Sequence, residues 1–205
     1  MSKFVEFADV APLIKDPLPD PSLLDYYRAI ERREIYWNQE VDSDIIMISR
    51  HIIDWNRDDK DIPVEERKPI KIFVNSDGGD ASAIMNVVSA INASKTPVWT
   101  IGLAGCYSAG GILLMAGHKR FVFDNTTCLI HDGSCGAYGD SGKVVDNIEF
   151  YKKIDKRMMK FITDKTKISH ELLEKNWRRD WYLFSDEMIE LGIADKIIES
   201  IDEIL

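Results

Sequence analysis

The sequence has no excess of basic residues. Its 205 residues include 26 Lys and Arg against 35 Asp and Glu, which gives a formal net charge of -9 at pH 7. Binding to nucleic acid or to an anionic membrane surface requires a basic surface. We therefore expect neither kind of partner, although the acidic balance does not by itself identify another one.

Long apolar runs are also missing. No uninterrupted hydrophobic stretch approaches the roughly 20 residues of a membrane-spanning helix. The chain also does not open with a charged and then apolar leader. These two features predict a cytoplasmic protein with no membrane partner.

Cysteine is scarce, with one residue at each of positions 106, 128 and 135. The three form neither a Cys-x-x-Cys pair nor a spacing that suits zinc, so no metal site is expected. Cys106 and Cys128 are predicted to be reduced core thiols. A catalytic thiol at Cys106 is the alternative, but no local histidine or basic side chain is evident that would lower its pKa.

The rest of the composition is ordinary for a globular protein, with 45% hydrophobic and 30% charged residues. A chain of this length most simply forms one α/β domain. Four prolines between positions 11 and 21 exclude a continuous helix or a central strand there. We therefore predict an extended, Pro-rich N-terminal arm over residues 1–25 and a single domain over residues 26–205.

Apolar periodicity along the domain predicts alternating strands and helices. Strands are expected at residues 34–37, 69–74, 98–101, 120–123, 128–131 and 193–198. Helices are expected at residues 22–30, 45–53, 84–91, 110–116, 144–162 and 185–192, with a further helix capped by Ser169. Short connections between strand, turn and helix favour a layered α/β fold with crossover helices.

The most informative segment is residues 102–117, Gly-Leu-Ala-Gly-Cys-Tyr-Ser-Ala-Gly-Gly-Ile-Leu-Leu-Met-Ala-Gly. It places Ser108 between a predicted strand and an apolar helix. Near a helix N-terminus the backbone N–H groups are unpaired and the dipole favours negative charge, and the oxyanion that a nucleophilic serine creates needs such donors. Ser108 is therefore a candidate nucleophile. The alternative is a glycine-rich turn in which Ser108 merely caps a core helix.

A general base for Ser108 has to come from four histidines. His51 lies on an early predicted helix, His118 in an exposed turn and His170 at a polar helix start. His131 closes an apolar strand just before a glycine-rich loop, which is a rigid place from which an imidazole can point into a cleft. His131 is therefore the candidate base, and a structural core histidine is the alternative.

Four segments of the chain form an ordered set. They are Asn-Ser-Asp-Gly-Gly at 75–79, Tyr-Ser-Ala-Gly at 107–110, Leu-Ile-His at 129–131, and Arg-Asp-Trp-Tyr-Leu-Phe-Ser-Asp-Glu at 179–187 followed by Leu-Gly-Ile-Ala-Asp at 191–195. In order and spacing, this set resembles the ClpP serine peptidases, which are the proteolytic subunits of the Clp protease and belong to the crotonase-like superfamily. The resemblance runs from about residue 35 to residue 198.

This resemblance implies a role for each matching residue. Ser108 would be the nucleophile, His131 its general base, and Asp180 the carboxylate that holds the histidine in the correct tautomer. The backbone N–H groups of Gly79 and Ala109 would stabilise the oxyanion. No cofactor is implied.

A second acid competes with Asp180 for the third position of the triad. Asp132 directly follows His131 in the sequence. Neighbouring residues on a strand point to opposite faces, so we favour Asp180.

The resemblance also implies a fold and an assembly. The expected fold is a crotonase/ClpP-like spiral of ββα units, with a protruding handle over about residues 132–165 made of a glycine-rich strand and a long helix. In the family, the handle interdigitates between two stacked heptameric rings that enclose a chamber. The implied function is serine endopeptidase cleavage of unfolded polypeptides or peptides that an AAA+ unfoldase feeds. The alternative for this glycine-rich stretch is a surface loop.

The chain departs from the family pattern around the site. Cys106 and Tyr107 precede the serine where small residues are usual, and Ala104 replaces a typical glycine. Asp77 replaces the proline of the glycine turn, and Asp132-Gly133 replaces the usual Gln-Pro. Two other functions therefore stay open, a crotonase-type acyl-thioester enzyme and a non-catalytic ring subunit.

Overall fold

The computed structural model describes residues 21–205. Helix α1, Pro21–Arg32, belongs to a first unit that ends at Arg32, and Arg33–Leu205 form a second unit. The last five residues of the predicted extended arm are therefore helical. The rest of that arm lies outside the described residues.

A mixed sheet of seven strands organises the second unit. The strands are β1 Glu34–Asn38, β2 Ile70–Ser76, β3 Val98–Tyr107, β4 Lys119–Val122, β5 Thr127–Ile130, β6 Trp181–Phe184 and β7 Lys196–Ile197. Their order is β1-β2-β3-β4-β7, with β5 pairing with β3 and β6 pairing with β5. All neighbouring strands are parallel except β5 and β6.

Helices alternate with these strands, as the sequence predicts. They are α2 Ile46–Asp58, α3 Ala81–Ala93, α4 Ala109–Ala116, α5 Ser141–Lys165, α6 His170–Asn176 and α7 Ser185–Glu190, with short 3-10 turns at Ser43–Ile45, Val64–Glu66 and Ile201–Glu203. The predicted α/β fold with crossover helices is confirmed. Among residues 21–205, no helix combines the length and the apolar character needed to cross a bilayer.

The core lies between the sheet and the helices α3 and α4. All eight residues of α4 are buried, as expected of a helix that is apolar on every side. Helix α3 buries the four residues of its predicted apolar face, Ile84, Val87, Val88 and Ile91. Each such side chain contributes about 1.5–3 kcal/mol relative to an exposed one. This rigid core fixes the segment between β3 and α4.

Strand β3 is longer than the sequence predicts. The prediction ended it at Ile101, just before Gly102. The structure continues it to Tyr107, since the first half pairs with β4 and the second half with β5. The N–H of Gly105 also donates to Oδ1 of Asn75 at 3.0 Å. These hydrogen bonds extend the strand to Tyr107, the residue before Ser108.

Several other element boundaries differ from the prediction by a few residues. The N-cap of α7 is Phe184, while Ser185 lies in the first turn and its hydroxyl donates to the carbonyl of Asp124 at 2.5 Å. The last strand is limited to Lys196–Ile197, because pairing with β4 extends over only two residues.

Helix α5 is 25 residues long. The apolar stripe that its helical period predicts is only partly covered, and its members are Val144, Ile148, Tyr151, Met158 and Ile162. Of the residues assigned to this stripe, Ile162 is buried, whereas Ile148 is 40% and Tyr151 39% exposed. The preceding stretch, residues 131–138, has no regular secondary structure. The expected glycine-rich strand of the handle is therefore wrong for this chain, whereas its long helix is present.

Candidate active site

Two neighbouring strands bring Ser108 and His131 to the same edge of the sheet. Ser108 follows β3 and His131 follows β5, and these strands are parallel, with Tyr107 opposite Leu129. The N–H of Ser108 donates to the carbonyl of Leu129 at 2.9 Å. Both side chains line one small pocket, which places a hydroxyl and an imidazole in one cleft.

The antiparallel pairing of β5 and β6 brings in the carboxylate. Ile130 lies opposite Trp181, so the next pair in this register is His131 and Asp180. Nδ1 of His131 and Oδ1 of Asp180 are 3.5 Å apart. Among residues 21–205, Asp180 is the acid that pairs with His131, and the competing Asp132 does not.

The backbone of Ser108 adopts an unusual conformation. Its φ is 51° and its ψ is -119°, a region that favours glycine and costs a side-chain-bearing residue about 1–3 kcal/mol. Two bonds hold it, one from the Ser108 N–H to Leu129 and one from the N–H of Ile112 to the Ser108 carbonyl at 3.1 Å. A sharp strand-to-helix turn of this kind exposes the hydroxyl of a nucleophilic serine.

A glycine turn packs directly against this junction. Gly78 and Gly79 have φ values of 101° and 141°. A Cβ at Gly78 would lie 2.6 Å from Cβ of Ser108 and 3.2 Å from the backbone nitrogen of Ala109, and one at Gly79 would collide with the carbonyl oxygen of Val41. Only glycine therefore permits this close approach.

Backbone N–H groups beside Ser108 differ in their hydrogen bonds. The N–H of Gly78 donates to Oγ of Ser76 at 3.2 Å. Within residues 21–205, the N–H groups of Gly79 and Ala109 have no acceptor on the protein. The two amides that the resemblance assigns to an oxyanion hole are therefore both available to donate.

The three polar side chains are adjacent but not hydrogen-bonded to one another. No hydrogen bond joins Ser108 and His131 in the described part of the chain, and Nε2 of His131 is buried without a partner. The 3.5 Å contact to Asp180 also exceeds the length of an ordinary hydrogen bond. In enzymes without substrate, such catalytic contacts are often long and shorten in the reacting complex.

The competing nucleophile and bases lie elsewhere. Cys106 is fully buried, and burial raises the pKa of its thiol well above the usual value, so it is not a thiolate at neutral pH. His51 packs against Trp55, and His170 lies 3.3 Å from Glu174. His118 accepts a hydrogen bond from the N–H of Val98 through Nδ1, and none of these three lines the pocket beside Ser108.

Sequence reasoning missed two residues next to the site, Trp177 and Asp155. The indole of Trp177 lines the pocket, and its Nε1 donates to Oδ2 of Asp155 at 3.3 Å. Burial, with Asp132 nearby, raises the pKa of Asp155. The sequence did contain one indication of Trp177, since a large aromatic residue stands only three positions before Asp180 in an otherwise charged stretch.

Comparison with known proteins gives matches over most of the chain. A family model described as Clp protease matches residues 22–201. The ATP-dependent Clp protease proteolytic subunit 2 of Treponema denticola is 33% identical over 135 residues, which cover 65% of this chain and 68% of that protein. The subunit of the same name from Treponema pallidum is 31% identical over 134 residues, covering 64% and 67%.

Proposed function

The chain belongs to the Clp protease family, and on this premise we propose that it is a serine endopeptidase whose triad is Ser108, His131 and Asp180. The observation that carries the proposal is the meeting of these three side chains at the ends of β3, β5 and β6. The amide pair of Gly79 and Ala109 supports it, because it is free to donate beside the hydroxyl.

The proposed reaction is acyl transfer. Oγ of Ser108 attacks the peptide carbonyl carbon while Nε2 of His131 takes the hydroxyl proton. The oxyanion accepts hydrogen bonds from Gly79 and Ala109, and each such donor contributes about 10²- to 10³-fold in kcat. The scissile C–N bond then breaks, and the leaving amine takes the proton from His131. Water attacks the resulting ester by the same route and restores Ser108.

Asp180 acts through the histidine in this scheme. A carboxylate at Nδ1 favours the tautomer that carries its proton there, which leaves Nε2 as the base. It also stabilises the imidazolium that forms in the transition state. The 3.5 Å separation has to shorten for this effect to develop fully.

We further propose that assembly shortens these contacts. His131 directly precedes the handle, and the N–H of Asp132 is bonded to the carbonyl of Trp177 at 2.8 Å. A movement of the handle would therefore also move His131. Exposed apolar residues on α5, including Val145 and Phe150 at 54% and 55%, offer a surface for other copies of the chain.

The proposed assembly is that of the family, two stacked heptameric rings that enclose a chamber in the cytoplasm. Its substrates are unfolded polypeptides or peptides, which an AAA+ unfoldase delivers. A chamber confines proteolysis to chains that have been unfolded first.

Labelling with a fluorophosphonate tests this function. Such a reagent modifies activated serines, so we expect a single adduct on Ser108, mapped by peptide mass spectrometry, and none in S108A. The H131A variant lacks the proposed base that activates Ser108, so it should react with the reagent at least about 10²-fold more slowly. Absence of labelling in protein that sedimentation shows to be assembled would refute the peptidase and favour a non-catalytic subunit.

A further inference from the structure

A small apolar pocket lies directly beside the proposed nucleophile and base. Apart from Ser108 and His131, it is lined by residues from α4, β5, the end of α5 and the segment after α6, namely Ile112, Met115, Leu129, Ile130, Met158, Ile162 and Trp177. An acyl group bound to Ser108 has its first side chain within a few bonds of this hydroxyl. The pocket is therefore the place where that side chain can be buried.

The free space in the pocket is very small. Its volume is about 10 Å³, which is close to the least that holds one water molecule. Protein interiors resist added volume, and each misplaced methylene costs free energy. A methyl group can be accommodated by small adjustments, whereas an aromatic or long aliphatic group cannot.

Trp177 is held in the pocket by hydrogen bonds as well as by packing. The residue is 6% exposed, and its indole Nε1 is tied to Asp155 on α5. Its carbonyl accepts the N–H of Asp132, the residue after the proposed base. The large ring is thus held at both its side chain and its backbone, and it does not simply rotate away when a substrate arrives.

We propose that Trp177 is the specificity-determining residue of the site and restricts the side chain on the acyl side of the cleaved bond to a small one, such as that of Gly, Ala or Ser. The inference rests on the proposed peptidase function. It assigns a substrate class to this chain from its own pocket rather than from its relatives.

Peptide substrates that differ only in the residue before the cleaved bond test this inference. We expect the wild type to have a kcat/KM for Ala at least about tenfold above that for Leu or Phe, since a hydrophobic pocket discriminates by roughly this factor for each methylene. The W177A variant should lose this preference or reverse it. Fluorophosphonate labelling of Ser108, measured in parallel, reports whether the catalytic centre itself is intact.

Three further variants separate the size of the side chain at position 177 from its hydrogen bond and from its effect on folding. W177F keeps an aromatic wall but removes the bond to Asp155, and it should shift the ratio only slightly. D155N keeps both the ring and a hydrogen-bond acceptor, so its ratio should equal that of the wild type. W177L replaces W177A if thermal unfolding shows that the alanine variant is not folded.

The possible outcomes are distinct. A wild type that cleaves after Leu or Phe as well as after Ala would overturn the inference while leaving the peptidase intact. The inference is also overturned, with the peptidase intact, if W177A or W177L is labelled normally and keeps the wild-type ratio of kcat/KM for Ala to kcat/KM for Leu or Phe. If Ser108 of the wild type is not labelled at all, the peptidase function itself fails, and this inference fails with it.

Discussion

His131 and Asp180 face each other across the β5–β6 pair, with Nδ1 and Oδ1 3.5 Å apart. The carboxylate is exposed over 64% of its side chain, whereas the imidazole is exposed over 25%. A separation of this length in contact with solvent gives only a weak interaction. We therefore expect Asp180 to contribute to catalysis far more than to the stability of the fold.

Replacement of this acid gives the first prediction. D180N should lower kcat by about 10²- to 10⁴-fold, because the histidine loses its preferred tautomer and the partner of its imidazolium. Its melting temperature should stay close to that of the wild type, since the lost group is exposed. Initial-rate kinetics with a peptide substrate and a thermal melt measure the two effects.

D132N is the matched control for this prediction. It removes the neighbouring acid that does not pair with His131, and it should keep kcat within a fewfold of the wild-type value. A larger loss in D132N than in D180N would assign the third position of the triad to Asp132 instead.

The backbone of Ser108 gives a second prediction. S108A and S108G both remove the hydroxyl, but only glycine relieves the strain at a φ of 51°. S108G should therefore be more stable than S108A by about 1 kcal/mol, because relief of strain outweighs the greater chain entropy of glycine. Urea unfolding of the two variants measures the difference. Equal stabilities would contradict this prediction, because they would mean that the strain is no larger than the entropic cost of glycine.

The glycine turn gives a third prediction. G78A would place a Cβ 2.6 Å from that of Ser108 and 2.9 Å from the carbonyl oxygen of Tyr107. Such a contact forces the turn away from the serine, so the variant should lose about 1–3 kcal/mol of stability and most of its activity. G136A is the control for stability. No atom of another described residue outside its two chain neighbours lies within 4 Å of its new Cβ, and its unfolding free energy should stay within about 0.5 kcal/mol of the wild type.

His118 gives a prediction for pH. Partial burial, with Lys165 nearby, lowers the pKa of His118 below its ordinary value of 6.5, although a hydrogen bond to the backbone of Ile91 acts in the opposite direction. Nδ1 accepts the N–H of Val98 only when it is unprotonated. The folded state thus favours the neutral ring. The stabilisation is present above about pH 6.5 and is lost as the pH falls through and below that value.

Comparison with H118Q isolates this effect, since other titrating groups are shared. The stability of the wild type relative to H118Q should fall between pH 7.5 and pH 5, as measured by chemical unfolding at each pH. A difference that stays constant or grows over that range would contradict the assignment.

Local sequence patterns were sufficient for part of the site. Ser108 lies between a strand and a helix that apolar periodicity identifies, and His131 directly follows β5, so their positions in the fold could be predicted from short segments. Asp180 could not be found in this way, because it depends on the register between β5 and β6, two strands far apart in the chain. It was chosen through the resemblance to a family, and its role is still a prediction.

The parts that sequence reasoning missed all depend on contacts between distant segments. Strand β3 continues past Gly102 because β5 pairs with its second half, and glycine propensity alone ends it too early. Trp177 and Asp155 come together only when α5 packs beside the segment after α6. The apolar stripe of α5 follows the helical period, yet of its five residues only Ile162 is fully buried by the described part of the chain.

Trapping of the acyl-enzyme tests the central claim most directly. An activated peptide ester, mixed with the assembled protein and quenched with acid within milliseconds, should leave its acyl group on Ser108, as located by mass spectrometry. The S108A and H131A variants should show no such adduct at the same time point. Peptide hydrolysis without an adduct on Ser108, or an adduct on the exposed Cys135, would contradict the account.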